Sequence, residues 1–173
     1  RRILCPIYRR VIMTNKTFIF DLDHTVIDSS HRQITKADGS LDLKNWIENC
    51  TQEKIMADKI LPLADFWRTY AAAGHEIVVC TARVMGEYDH AFLANHGLQA
   101  TAILSRPMGC ADADADLKEN LLRDYAHNTG RSWARFSRNA AIYDDNLSVL
   151  LRLESIGIAG YNALSLNATL KAA

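Results

Sequence analysis

Four carboxylates stand in two pairs, and each pair directly follows a short apolar run. Asp21 and Asp23 close the first run, and Asp144 and Asp145 close the other. Carboxylates at the end of a buried strand lose too much hydration to be there for packing alone. Brought together, the four would repel one another, and a hard cation with oxygen ligands would relieve that repulsion. The pattern therefore predicts a Mg²⁺ site that also holds a substrate phosphate.

Three further side chains extend this candidate site. Thr81 and Arg83 follow the apolar run that ends at Cys80, and Lys118 lies near the start of a helical pattern. Each group also has a structural interpretation. The acidic pairs could cap turns, Thr81 could simply end a strand, and Lys118 could pair on the surface with Asp114 four residues earlier. The recurrence of acids after two separate apolar runs favours the chemical interpretation.

Alternating strand and helix patterns supply the framework that would position these groups. The sequence predicts strands at 17–20, 76–80, 101–104, 140–143 and near 159–164, and helices at 61–73, 88–95, 116–128 and 147–155. Such alternation is typical of βαβ units, so we expect an α/β, Rossmann-like fold with a mainly parallel sheet and helices on both faces. Open parallel sheets bind ligands at the carboxyl ends of their strands, so the polar clusters should converge in one crevice.

Residues 28–58 interrupt this alternation. They are polar and irregular, and one short helix is expected around 43–50, with Trp46 on its apolar side. We interpret this segment as a small cap insert after the first strand. The chain leaves the fold beside the first acidic pair and returns before the next helix, so the insert should lie over the same crevice.

The composition limits the possible classes of protein. With 173 residues, 49% of them hydrophobic, and a formal net charge of zero, the chain fits one domain and requires no nucleic-acid or membrane partner. Residues 1–12 carry four arginines and no acid. We expect them to be a basic appendage to a domain at 13–173, whose net charge would be about −4 by formal counting. Scattered cysteines and no signal-peptide or membrane-spanning pattern predict reduced thiols in a cytoplasm.

Four segments occur in order along the chain: DLDHT from Asp21, CTAR after the second predicted strand, ADLKE around Lys118, and YDDN around Asp144 and Asp145. They resemble the four signatures of the haloacid-dehalogenase superfamily of phosphatases. One DxD pair would be a weak signal, whereas four signatures at matching strand ends are specific. The superfamily's usual glycine after the second aspartate is His24 here.

The resemblance implies a phosphomonoester hydrolase that works through an aspartyl-phosphate. Asp21 would attack phosphorus, and Asp23 would protonate the leaving oxygen and then activate water. Thr81 and Lys118 would hold the phosphoryl oxygens. The implied Mg²⁺ ligands are Asp21, the main-chain carbonyl of Asp23, Asp144 and, further from the ion, Asp145.

A longer stretch, about residues 16–165, resembles the 3′-phosphatase domain of phage-type polynucleotide kinase/phosphatases. Segments that carry this resemblance are DLDHTVIDSSHRQ, LPLADFWRTYAAAGHEIVVCTAR, ILSRPMG and DDNLSVLLRLESIGI. That family's three arginines and the acid before its lysine are matched by Arg32, Arg83, Arg106 and Asp114. The resemblance implies that these residues bind substrate, and that the expected cytoplasm is that of a bacterial or phage-infected cell.

Each of these matches also has a structural alternative. Guanidinium groups suit a substrate with more than one phosphate, but a single arginine could equally form a surface salt bridge. His31 joins the candidate substrate-binding residues, and with Trp46 and Tyr88 it could stack on a base or merely pack. Packing is the expectation for Trp46.

Three functions stay open. A polynucleotide 3′-phosphatase is favoured by the longer resemblance and the arginines. A phosphatase of mononucleotides or other small phosphate esters is favoured by the short chain and the lack of an extended basic face. A non-catalytic phosphate-binding module is disfavoured by the complete set of acids and lysine. The sequence holds no G-x-x-x-x-G-K-[ST] kinase loop. The expected partner is a nucleotide or a nucleic-acid 3′ end, with no membrane and no obligate protein partner.

Overall fold

The structure, a computed structural model, describes residues 15–172. The basic segment 1–12, expected to be an appendage, lies outside the described residues. The strands are β1 (Thr17–Phe20), β2 (Ile27–Asp28), β3 (Lys59–Ile60), β4 (Glu76–Thr81), β5 (Ala102–Ser105), β6 (Ala140–Asp144) and β7 (Ala159–Asn162). The helices are α1 (Leu43–Glu48), α2 (Gln52–Met56), α3 (Ala64–Ala72), α4 (Glu87–Asn95), α5 (Asp114–Asn128), α6 (Trp133–Arg138), α7 (Leu147–Ser155) and α8 (Ala163–Ala172). Over this described part of the chain, no helix is both long and apolar enough to cross a membrane.

Five strands form one parallel sheet in the order β5-β4-β1-β6-β7. β1 comes first in the chain and lies at the centre, where Phe20 pairs in register with Val79 of β4 on one side and with Tyr143 of β6 on the other. Because all five strands run in the same direction, their carboxyl ends meet at one edge. The predicted parallel, Rossmann-like sheet is confirmed.

The sheet separates two apolar cores, because successive side chains of a strand point to opposite faces. Phe20 and Tyr143 pack on one face with Trp67 of α3, and α4 and α8 cover the same face. Ile19 and Ile142 belong to the other core, which α5, α6 and α7 complete. The expectation of helices on both faces is therefore confirmed. Burial on both faces also explains why the sequence of β1 is continuously apolar.

The segment between β2 and β3 forms the small cap insert expected after the first strand. β2 and β3 pair antiparallel and make a two-stranded neck for it. Two short helices follow within the insert, and each begins at a side-chain cap. Asp42 accepts a hydrogen bond from the Asn45 N–H before α1, and Thr51 accepts one from the Lys54 N–H before α2.

The last part of the fold differs from the sequence expectation. The sequence predicts a strand near 159–164, but β7 ends at Asn162 and α8 follows at once. The Asn162 side chain accepts a hydrogen bond from the Ser165 N–H, which starts the helix. Leu164 is exposed although it is apolar, so the apolar residues of α8 do not all lie on its buried face. The sequence pattern alone therefore does not indicate this helix. Helix α6 is likewise absent from the sequence prediction, because six residues are too few to show a helical period.

Candidate active site

Three carboxylates meet at the carboxyl edge of the sheet. The pairing of β1 with β6 sets Asp21 beside Asp144, and the Asp21 N–H donates to the Tyr143 carbonyl at 3.0 Å. Asp145 is the next residue, and each of the three side chains offers an oxygen that lies within 4.8 Å of the other two. Asp21 and Asp144 are buried, and Asp145 is half-buried.

A buried lysine faces two of these carboxylates. Lys118 lies in the second turn of α5, with its Nζ 2.7 Å from Asp144 Oδ2 and 3.0 Å from Asp21 Oδ1. Burial alone would lower the pKa of Lys118, but the two carboxylates raise it above its ordinary value. The ammonium therefore stays charged, and it can compensate one of the three negative charges.

Lys118 leaves two of the three negative charges of the carboxylate cluster without a compensating cation. Burial, followed by the charge of Asp21, raises the pKa of Asp144 to about 7, and the same two causes raise the pKa of Asp145. Asp21 Oδ1 is buried and accepts no hydrogen bond of normal geometry, although Lys118 lies close to it. A hard divalent cation prefers this all-oxygen donor set and would relieve the repulsion. These residues fit such a cation, and the side chain of Asp23 lies outside the group of three.

Asp23 is instead held by Arg83 and Ser29. Arg83 Nη2 donates to Asp23 Oδ1 at 2.5 Å, Arg83 Nε donates to Asp23 Oδ2 at 3.1 Å, and the Ser29 hydroxyl donates to Oδ1. Burial alone would raise the pKa of Asp23, but the charge and hydrogen bonds of Arg83 lower it below its ordinary value. The resting carboxylate is therefore ionised and fixed in orientation.

Arg83 also binds two acids that the sequence reasoning did not single out. Its Nη1 donates to Asp89 Oδ1 at 2.5 Å, and its Nη2 lies 3.8 Å from Asp58 Oδ2. Asp89 accepts from the Gly86 N–H as well, so its position in the first turn of α4 was a signal for a helix cap but not for this ion pair. Asp58 carried no local signal, because its partners come from distant parts of the chain.

The cap insert reaches this network through Arg32. The guanidinium is buried and donates from Nε and Nη2 to the two carboxylate oxygens of Asp58, both at 2.9 Å. The Trp46 ring packs over it, with the ring centre 4.1 Å from the guanidinium carbon. His31 is 41% exposed, and its Nδ1 lies 3.7 Å from Asp58. The insert thus contacts the site through Asp58, which Arg32 and Arg83 share.

Arg106 and Asp114 form a separate cluster. Arg106 donates to Asp114 Oδ1 at 2.7 Å and to the carbonyls of Ala82, Cys110 and Asp112. These bonds fix the loop that leads into α5, the helix of the buried lysine. The structure thus brings Arg106 and Asp114 together. Their contact with a substrate stays a prediction.

Thr81 and Tyr88 complete the candidate residues. Thr81 is buried at the end of β4, and its hydroxyl accepts a hydrogen bond from the Arg83 N–H at 3.2 Å, which closes the turn after the strand. Tyr88 is half-buried and packs against the apolar core on the α3 face. The neighbouring Cys80 is fully buried, and burial raises its pKa to about 12, so its thiol has no nucleophilic character at neutral pH.

The loop after Asp23 contains an unusual backbone conformation. His24 has a φ of 58°, in the left-handed region, which costs a residue with a side chain roughly 1–2 kcal/mol relative to glycine. Its N–H donates to the Ile27 carbonyl at 2.8 Å, and its Nε2 lies 3.1 Å from Gln33 Oε1. Glycine adopts this left-handed conformation without strain, which agrees with the glycine that the superfamily usually has at this position.

Known proteins match this chain in sequence over different shares of its length. A family model described as bacteriophage T5 5′-deoxynucleotidase matches residues 9–173. A 5′-deoxynucleotidase of Escherichia phage T5 is 35% identical over 89 residues, which make up 49% of this chain and 36% of that protein. This chain therefore matches only about a third of the length of that curated relative.

Solved structures of low sequence identity share the fold. A haloacid dehalogenase-like hydrolase from Streptococcus pneumoniae has a TM-score of 0.60 at 11% identity, with 91% of each chain covered. A HAD-superfamily hydrolase from Geobacter sulfurreducens has a TM-score of 0.59 at 15% identity, with 86% of this chain and 89% of that chain covered. A chain of the Pnkp1/Rnl/Hen1 complex has a TM-score of 0.63 at 16% identity, with 86% and 45% covered. The fold is that of the haloacid-dehalogenase superfamily.

Proposed function

This chain belongs to the bacteriophage T5 5′-deoxynucleotidase family, and we propose that it is a Mg²⁺-dependent phosphatase that releases phosphate from deoxynucleoside 5′-monophosphates. The observation that carries the proposal is the contact of Lys118 with both Asp21 and Asp144 at the carboxyl ends of β1 and β6. A nucleophilic carboxylate, a fixed ammonium and a second acid within one buried cluster are the groups that phosphoryl transfer to an aspartate requires.

Asp21 is the proposed nucleophile. One of its carboxylate oxygens attacks phosphorus, the bond from phosphorus to the 5′ oxygen breaks, and an aspartyl-phosphate forms. The Lys118 ammonium stabilises the charge that develops on the phosphoryl oxygens. Water then attacks the same phosphorus, the bond from phosphorus to the Asp21 oxygen breaks, and inorganic phosphate leaves with the Asp21 carboxylate regenerated.

Asp23 is the proposed acid and base. Its ionised state beside Arg83 suits the second half of the reaction, in which it accepts a proton from the attacking water. In the first half it gives a proton to the leaving 5′ oxygen. That half requires protonated Asp23, whereas the Arg83 guanidinium favours the ionised form. We therefore propose that the position of Arg83 sets a pKa of Asp23 that allows it to act as an acid in one half and as a base in the other.

A Mg²⁺ ion would be held by the carboxylates of Asp21, Asp144 and Asp145, with the Asp23 carbonyl as a further proposed ligand. When bound, the ion supplies charge neutralisation for the phosphate oxygens. The raised pKa values of Asp144 and Asp145 support this proposal, because a cation would keep both carboxylates ionised.

Removal of Mg²⁺ by a chelator is expected to abolish phosphate release, and its return should restore it. Asp144→Asn should raise the Mg²⁺ concentration needed for half-maximal activity by at least about 10-fold, because it removes a charged ligand. Calorimetry measures the dissociation constant of Mg²⁺ without turnover, and this constant should rise in the same direction. Asp116→Asn is the matched control, since Asp116 is exposed and pairs on the surface with Arg152. Equal Mg²⁺ affinity in both variants would contradict the metal assignment.

A mononucleotide is favoured over a nucleic-acid end by the state of the arginines. The sequence resemblance placed a polynucleotide 3′-phosphatase first, whereas family membership supports the nucleotidase alternative. Arg32, Arg83 and Arg106 all donate to carboxylates within the protein. A second backbone phosphate would have to displace one of these ion pairs. A single phosphate at the carboxylate cluster requires no such exchange.

A panel of phosphate esters tests the proposed function. With Mg²⁺ present, kcat/KM should be highest for deoxynucleoside 5′-monophosphates, and lower for nucleoside 3′-monophosphates, phosphosugars and 3′-phosphorylated oligonucleotides. Raising the salt concentration should have little effect, because an enzyme that binds one nucleotide releases few counterions. Preference for the oligonucleotide, with steep loss of affinity in salt, would instead support the polynucleotide 3′-phosphatase.

A further inference from the structure

We propose that a cavity between the loop after Asp23, the β2–β3 neck and α8 receives the nucleoside part of the substrate, with His24 as a specificity-determining residue. This inference rests on the proposed function and deepens it. The cavity has a volume of about 280 Å³, and its lining includes His24, Asp28, Ser30, Leu61, Leu164 and Lys171.

The fold places this cavity beside the carboxylate cluster. β7 pairs with β6 so that Asn162 lies opposite Asp144, and the first turn of α8, with Leu164, follows directly. On the other wall, His24 is the residue next to Asp23 in the chain. A phosphate bound at the cluster can therefore direct its ester substituent into the cavity.

The lining fits the mixed chemistry of a nucleoside. Leu61 and Leu164 offer apolar surface to a sugar or base, while Asp28, Ser30 and Lys171 offer groups that accept and donate hydrogen bonds. Ligand pockets commonly combine apolar walls with a few polar groups, and this volume lies near the lower limit of their usual range of about 300–1,000 Å³. The volume and the mixed lining of the cavity therefore suit one nucleoside.

The backbone of His24 gives an independent argument. Within residues 15–172 it is the one residue other than glycine with a positive φ. Glycine would adopt the same turn without strain, and the peptide N–H bond to Ile27 would remain. The imidazole is thus held at an unfavourable backbone position while it lines the cavity and contacts Gln33. Strain kept at a cavity next to the reacting groups points to a contact with the ligand.

Two variants test the cavity in different ways. Leu164→Arg should fill it from α8, and His24→Gly should remove the imidazole while relaxing the backbone. In both, kcat/KM for thymidine 5′-monophosphate is expected to fall relative to kcat/KM for 4-nitrophenyl phosphate by about 10-fold or more. Thymidine should inhibit aryl phosphate hydrolysis by the parent enzyme, and more weakly in the variants. His24→Gly should unfold at the same temperature as the parent or higher, which a purely structural role would not give.

Leu151→Arg is the matched control, because Leu151 on α7 is 59% exposed, Leu164 is 52% exposed, and only Leu164 lines the cavity. Leu151→Arg should keep the substrate ratio of the parent. Ratios and thymidine inhibition that stay unchanged in both cavity variants would overturn the cavity assignment while leaving the nucleotidase intact. A parent enzyme that hydrolyses the aryl phosphate but none of the deoxynucleotides would instead contradict the proposed function.

Discussion

Asp21→Asn is expected to reduce phosphate release by at least about 10⁴-fold, because it removes the proposed covalent nucleophile and with it the reaction path. The amide has nearly the same shape as the carboxylate but cannot attack phosphorus. Asp21 attracts Lys118 and repels Asp144 and Asp145, so its neutralisation removes one attraction and two repulsions. The midpoint of thermal unfolding should therefore change little.

The measurement is phosphate release at saturating deoxynucleotide, with circular dichroism to verify the fold. Acid quenching of the parent enzyme with radiolabelled substrate should leave phosphate bound to the protein, and the same treatment of the variant should leave none. Asp116→Asn again serves as the control for removal of one carboxylate. Turnover of Asp21→Asn within a few-fold of the parent would disprove the nucleophile assignment.

Arg83→Gln is expected to lower the free energy of unfolding by about 3–5 kcal/mol, as does the removal of one member of a buried ion pair. The guanidinium is only 2% exposed and compensates Asp23 and Asp89 directly, with Asp58 close by. Without it, these carboxylates are buried with fewer partners. Activity should fall as well, because Asp23 loses the two hydrogen bonds that orient it.

Chemical denaturation of Arg83→Gln and Arg68→Gln provides the comparison. Arg68 pairs with Asp65 on the surface of α3, where the side chains are 38% and 78% exposed, and it also donates to the His96 carbonyl at 2.9 Å. Its replacement should therefore cost about 1 kcal/mol, well below the cost at Arg83. Adding Asp89→Asn to Arg83→Gln should restore part of the lost stability. If both single variants were equally stable, the buried network would not contribute as proposed.

The same ion pair predicts a dependence of stability on pH. Arg83 holds the pKa of Asp23 below 3.8, so this pair stabilises the native state above that pH and the stabilisation is lost as the pH falls through the native pKa. Arg83→Gln should lose less stability than the parent across that acid range.

The sequence was sufficient to place the residues that end buried strands. Asp21 and Asp144 each follow a strand whose apolar run is plain, and parallel pairing at the centre of the sheet brings them together. The position of Lys118 could be predicted in the same way, because its helix, α5, follows the loop that leaves the carboxyl end of β5. Helical and strand periods depend on local sequence, and so these parts could be predicted.

The partners of the arginines could not be predicted in this way. Arg32 binds Asp58, which lies 26 residues away, and Arg83 binds Asp23, which lies 60 residues away. No local pattern shows which carboxylate a guanidinium will reach, because the choice depends on how the insert folds back over the sheet. Asp58 and Asp89 therefore joined the site only through the three-dimensional arrangement.

Asn167 on α8 forms hydrogen bonds that a chain under synthesis can complete only late in translation. Its side chain donates to the Thr25 carbonyl and accepts from the Leu63 N–H, across 142 and 104 residues of chain. A ribosome adds about 5–20 residues per second, so roughly ten seconds separate the synthesis of the loop beside Asp21 from that of Asn167. Until Asn167 is available, a nascent chain lacks both of these long-range hydrogen bonds. We expect ribosome-bound chains that end before residue 167 to release no phosphate.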